Sequence, residues 1–248
     1  MITGHSENQA LGAALIVTRD PTVSGQISEV LREHALSVEL SSDMSLALER
    51  LSRQKFEAVV VDSSLARQAP ACVQQIRRSA SNRTAVTFAI TSDKDHTTRA
   101  LAEGFGFVLE RPLTDDAIRH TLRVAYGMIV RERRRYYRHP VVIPAVLNRK
   151  GGPKVFGRTR NISESGVALS TSIQLEPGSE GTLQFTLPDG NLEIRADCRV
   201  RWSNANGDMG LSFLFLPFSL ASELQAWLAQ KLEDRLPEAV AQQFRQLS

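Results

Sequence analysis

Cysteine is scarce: Cys72 and Cys198 are the only two in 248 residues. Neither belongs to a ligand-spacing motif, which excludes a disulfide framework and a thiolate zinc site and suits a reducing, cytoplasmic setting. The five histidines are scattered, so no metal centre is expected. No apolar run approaches the roughly 20 residues that a bilayer-spanning helix needs, so no membrane partner is expected. The first residues, with His5 and Glu7 among them, have neither the basic start nor the apolar stretch of a secretory leader; residues 1–12 read as a disordered tail. No nucleophile–base pair stands out, so the chain does not read as an enzyme.

The remaining composition is ordinary for a globular protein: 42% hydrophobic, 23% charged, net charge +3. The length suits two domains with separate cores. A mild basic excess accommodates an anionic partner without requiring one.

The first half alternates apolar runs with helical periodicity. Residues 13–17 are a short apolar run stopped by Thr18, Arg19, Asp20 and Pro21. Val23, Ile27, Val30 and Leu31 recur at helical spacing over 22–34. Further strands are expected at 37–40, 56–62, 85–90 and 105–109, and helices at 43–54, 70–79 and 94–103. Asp43 is an N-cap candidate and Gly104 a C-terminal stop. Five strands alternating with helices predict a doubly wound parallel sheet over residues 13–130, an α/β domain.

From Asp115 to Arg135 the chain has no proline and one glycine, Gly127. This predicts a helix longer than one domain needs. Ile118, Leu122, Val124, Ala125, Met128 and Ile129 give it an apolar face, which either covers its own sheet or offers a surface for a homodimer.

The second half changes character. Strands are expected at 140–149, 155–161, 166–173, 181–187, 192–203 and 209–216, with turns at Asp189-Gly190 and Asn206-Gly207. Alternation through Leu192, Ile194, Ala196, Cys198, Val200 and Trp202 puts these on one inward face. Six short-turned strands predict an all-β antiparallel barrel over 131–236, with a covering helix at 219–233 ended by Pro237. Trp202 and Trp227 are expected in the core. Residues 237–248 form a tail or a short helix. No helix-turn-helix follows the first domain, so no DNA partner is expected.

Two stretches remain, read as one site. One is the run Arg131 to Arg138, interrupted by Glu132, Tyr136 and Tyr137; the other is Asn161-Ile162-Ser163-Glu164-Ser165-Gly166. An arginine fork grips a phosphate or the O6/N7 edge of guanine and stacks on a base. Asn161 suits a purine edge, Ser163 a phosphate, and Gly166 a close backbone approach. Alone, the run reads as a solvated helix end and the second stretch as a turn. In this order, as Arg134-x-x-x-Arg138 then Asn161-x-Ser163-x-x-Gly166, they resemble the pattern of PilZ domains, receptors for cyclic di-GMP. The resemblance spans about residues 131–234. It implies cyclic di-GMP as ligand, with no other cofactor, bound by Arg133, Arg134, Arg138, Asn161, Ser163 and Gly166. In that family an arginine where Arg133 stands accompanies a stacked pair of ligands.

Residues 13–130 resemble the receiver domains of response regulators. The resemblance places Asp62 as phosphoryl acceptor and Thr91 as the conserved hydroxyl. It departs where receivers carry an acidic pair, here Thr18-Arg19 with only Asp20 nearby, and where they carry a lysine, here Arg111. Arg19 is therefore expected to pair with Asp62 in place of a metal, leaving a pseudo-receiver that contacts an unknown protein partner. The reading is a cyclic di-GMP effector in which ligand binding reorders the arginine run and the domain arrangement. Two alternatives stay open: a protein-binding PilZ adaptor without nucleotide, and a phosphorylation-responsive regulator.

Overall fold

The computed structural model describes residues 12–65, 69–190, 192–236 and 238–245. Most of the expected tail, together with Pro237, lies outside them. By contacts the chain divides into one unit of Met1–Arg133 with Arg235–Ser248 and another of Arg134–Asp234.

The first unit is built from β1 (Gly12–Val17), α1 (Pro21–Glu33), β2 (Leu36–Ser41), α2 (Met44–Arg53), β3 (Ala58–Asp62), α3 (Ala69–Arg78), β4 (Val86–Thr91), α4 (Lys94–Ala102), β5 (Phe107–Glu110) and α5 (Asp115–Tyr136). All strand pairs are parallel, in the order β2-β1-β3-β4-β5. Strands β3 and β4 are buried along their whole length, the mark of a sheet covered on both faces. On one face, Ile16, Val60, Phe88 and Ile90 pack with Ile27, Leu31, Ile118, Leu122 and Ile129. On the other, Leu15, Val59 and Val61 pack with Leu51, Val73, Ile76 and Phe105. Caps set the helix starts: Asp20 accepts from Thr22 and Val23 N–H, and Asp43 from Ser45 and Leu46 N–H. Gly104, at φ +98°, ends α4 as expected. On α5, Val124 and Met128 face solvent rather than joining the apolar face assigned to them.

The second unit holds β6 (His139–Pro140), β7 (Pro144–Arg149), β8 (Lys154–Ser163), β9 (Gly166–Thr171), β10 (Glu180–Thr186), β11 (Glu193–Ser203), β12 (Asp208–Phe215) and α6 (Phe218–Glu233). Six strands close a ring, β8-β7-β10-β11-β12-β9 and back to β8, all antiparallel. The two-residue β6 pairs with β8 beside β7, so the expected strand 140–149 is interrupted at residues 141–143. Inward residues alternate along β11: Ile194, Ala196, Cys198 and Val200 are buried. Cys198 and Cys72 are free buried thiols, pushed up to about 12 by burial. Leu224, Leu228 and Leu232 form the buried stripe of α6. The helix is tied to the barrel by Trp227 Nε1 donating to Asp189 (3.3 Å) and by Tyr137 Oη donating to the Lys231 carbonyl (3.2 Å). A last helix, α7 (Glu238–Arg245), groups by contacts with the first unit.

Candidate functional site

In the second unit, the end of α5 and the turn from β8 to β9 supply the motif residues. Arg138 follows α5 and is exposed. It lines a cavity of about 220 Å³ with Ser165, Gly166, Arg201, Trp202 and Gly210. Two guanidinium groups and an indole thus meet an open stretch of backbone. Trp202 is 48% exposed, so it is not the core residue that alternation suggested. The cause is a register shift between Val200 and Trp202, where β11 bulges against β12. The extra residue, Arg201, breaks the parity that would have sent Trp202 inward. The indole instead lies over Gly210, where a Cβ would overlap its Nε1. Trp227 is also only half-buried, edge-on to His139 at 5.1 Å.

Arg134 lies apart from that cavity. Its Nη2 is 3.9 Å from Glu233 Oε1 at the end of α6. Burial lowers its pKa against the opposing influence of Glu233 and Glu164. Ser163 is buried, and its hydroxyl donates to the Gly166 carbonyl (3.1 Å). That bond closes the turn, so Ser163 is not poised as a phosphate donor. Gly166 is required by its own barrel: a Cβ would overlap the Leu211 carbonyl oxygen on β12. The close approach expected there is of strand to strand. Asn161 Oδ1 is buried and accepts no hydrogen bond from the described protein atoms. Tyr137 is buried as an anchor for α6. Arg133 belongs to the first unit, where its Nη1 is 3.8 Å from Glu57 Oε1.

Residues 132–230 match the family model described as the PilZ domain. This part of the chain is a PilZ domain. The PilZ domain of CeSA from a cellulose-synthesizing bacterium is similar at 18% identity and TM-score 0.32, over 38% of this chain and 97% of that one. The Bacillus subtilis inhibitor of motility MotI/DgrA is similar at 16% identity and TM-score 0.35, over 39% of this chain and 50% of that one. For the first unit, the receiver domain of a sensor histidine kinase from Pseudomonas aeruginosa aligns at 23% identity and TM-score 0.42, over 47% of this chain and 98% of that one. Among curated proteins, none matches the chain.

The strand ends of the receiver-like unit carry the other candidate cluster. Asp62, 2% exposed, accepts from Thr18 Oγ1 at 2.6 Å and from Arg111 Nη2 at 2.9 Å. Arg111 Nη1 also reaches Asp20 at 3.0 Å. Burial pushes the Asp62 carboxyl up, but bonds from Thr18 and Ser64 and the Arg111 charge outweigh it and hold the pKa below its ordinary value. The expected partner, Arg19, points elsewhere: its Nε donates to the Ser42 carbonyl (3.3 Å). Both residues follow the end of β1, and at that bend it is the Thr18 hydroxyl that turns to Asp62 while Arg19 turns away to the Ser42 carbonyl. The cation comes instead from the end of β5. Thr91 is buried and hydrogen-bonded to Thr97 (2.9 Å). A magnesium ion does not fit these residues. Arg111 occupies both carboxylates, and a hydroxyl stands where a third would be needed to offset the ion's dehydration.

Proposed function

We propose that the protein is a signalling effector whose PilZ domain binds cyclic di-GMP. The observation that carries this reading is the cavity where Arg138, Arg201 and Trp202 face the backbone of Gly166. A base stacks on an indole for about 1–3 kcal/mol, and guanidinium groups take phosphate or the guanine edge. At about 220 Å³ the cavity is smaller than the ~300–1,000 Å³ usual for drug-sized ligands. One base would enter it, and the remaining phosphates and base would lie along the surface. The buried amide oxygen of Asn161 is an acceptor that a guanine N–H would satisfy after a small local opening. Arg134 and Arg138 are the motif arginines in this reading, and Arg133 recruits a second, stacked ligand.

The receiver-like unit acts as a protein-contact module held by the Arg111 clamp rather than by phosphorylation. Ligand capture would act on the C-terminal end of α5, the helix through which the chain passes between the two units. The exposed Val124 and Met128 offer a homodimer surface on that helix.

The deciding experiment is isothermal titration of the purified protein with cyclic di-GMP, with GTP and cyclic di-AMP as controls. Saturable binding of cyclic di-GMP alone is the expected result. Heat indistinguishable from both controls would leave the protein-binding adaptor as the better reading.

A further inference from the structure

Arg134 sits between two carboxylates of its own unit. Glu233, the last residue of α6, approaches it at 3.9 Å, and these side chains are 22% and 11% exposed. Glu164, half-buried between β8 and β9, feels the charges of both Arg134 and Arg135. Its pKa is raised, because burial outweighs those two arginines. A carboxylate in the last turn of a helix is also disfavoured by the helix dipole, so Glu233 depends on a nearby cation.

Resting on the cyclic di-GMP reading, we infer that Glu233 and Glu164 are built-in competitors for Arg134, which a ligand phosphate must displace, and that they set the concentration at which the protein responds. A phosphodiester brought to Arg134 would be a third negative charge in a partly buried cluster. Like charges repel more strongly in a partly buried site than in water, so the three anions oppose one another there. The arginine cannot serve all three anions, so ligand binding must move Glu233 aside. Losing Arg134 to the ligand removes one cation that offsets the Glu233 charge at the negative end of α6, which weakens the last turn of that helix. Ligand occupancy at the motif is thereby transmitted to the segment that follows α6.

The test is titration of the full chain with cyclic di-GMP, comparing the parent with Glu233→Gln, Glu164→Gln and Glu233→Gln combined with Arg134→Ala. Each single glutamine substitution is expected to tighten Kd at least threefold. The Glu233→Gln gain should vanish when Arg134 is absent. Misfolding weakens binding, so tightening cannot arise from structural damage, and each glutamine variant checks the other. Unchanged or weaker affinity in both, with the parent binding normally, overturns the inference and leaves the ligand assignment standing. Absence of binding in every protein, Glu233→Gln included, removes the ligand assignment and this inference together.

Discussion

At the scale of single residues, one arginine takes the role expected of another. Arg111, not Arg19, neutralises Asp62. Removing one partner of a buried pair leaves an uncompensated charge, which costs about 3–5 kcal/mol when fully buried. Arg111 is about one-third open to solvent. Arg111→Ala should therefore cost nearer 2–3 kcal/mol in urea unfolding of the first unit, while Arg19→Ala stays within about 0.5 kcal/mol. The pH dependence has a definite sign. The lowered pKa of Asp62 stabilises the fold above the ordinary carboxylate value of 3.8. That contribution is lost as pH falls through the depressed folded-state value. Arg111→Ala should unfold at a higher pH on acidification than the parent. Acetyl phosphate with magnesium should leave Asp62 unmodified by intact mass, and an adduct abolished by Asp62→Asn would contradict the clamp. In the PilZ domain, Arg138→Ala and Trp202→Ala should each weaken cyclic di-GMP binding at least tenfold, about 1.4 kcal/mol, with folding retained. Equal affinity in both variants would move the site elsewhere.

At the scale of elements, glycines separate into those the fold requires and those it merely tolerates. Gly166 lets β9 lie against β12, and a methyl group there overlaps the Leu211 carbonyl. Gly166→Ala should destabilise the barrel by about 1–3 kcal/mol through forced backbone shifts. Gly25 is the opposite case. It is exposed within α1, and a Cβ there meets nothing within 4 Å. Gly25→Ala should stabilise the first unit by about 0.8–1 kcal/mol, from helix propensity alone. Thermal denaturation of the two variants checks both signs. Loss of ligand binding in Gly166→Ala would follow from a disturbed β8–β9 turn, so binding data on that variant do not by themselves identify a ligand contact.

At the scale of the whole molecule, the stoichiometry of binding is the informative quantity. Two stacked ligands bring four phosphodiester charges, and Arg133 would supply the additional cation and a guanidinium plane worth about 0.5–2 kcal/mol of stacking. Arg133 is drawn toward Glu57, whose carboxyl is pushed up by burial. Titration should give two ligands per chain, with Arg133→Leu lowering this to one. A parent value of one would take Arg133 out of the ligand site. No helix among the described residues is long and apolar enough to cross a membrane.

The succession of strands and helices, the change from a parallel sheet to an antiparallel barrel and the N-cap at Asp43 were legible in the chain, because periodicity, capping and turn chemistry are local. The motif Arg134-x-x-x-Arg138 with Asn161-x-Ser163-x-x-Gly166 was legible as well. What these side chains touch was not. Trp202 reached the cavity wall because one bulge reversed its parity, and a bulge depends on the partner strand. Ser163 and Gly166 serve a turn and a strand contact made by residues distant in sequence. Arg111 crosses to Asp62, and Glu233 to Arg134, through pairings that only chain folding creates. Local pattern decides which way a backbone runs, whereas the partner of a long charged side chain is settled by which opposite charge the tertiary fold brings within its reach.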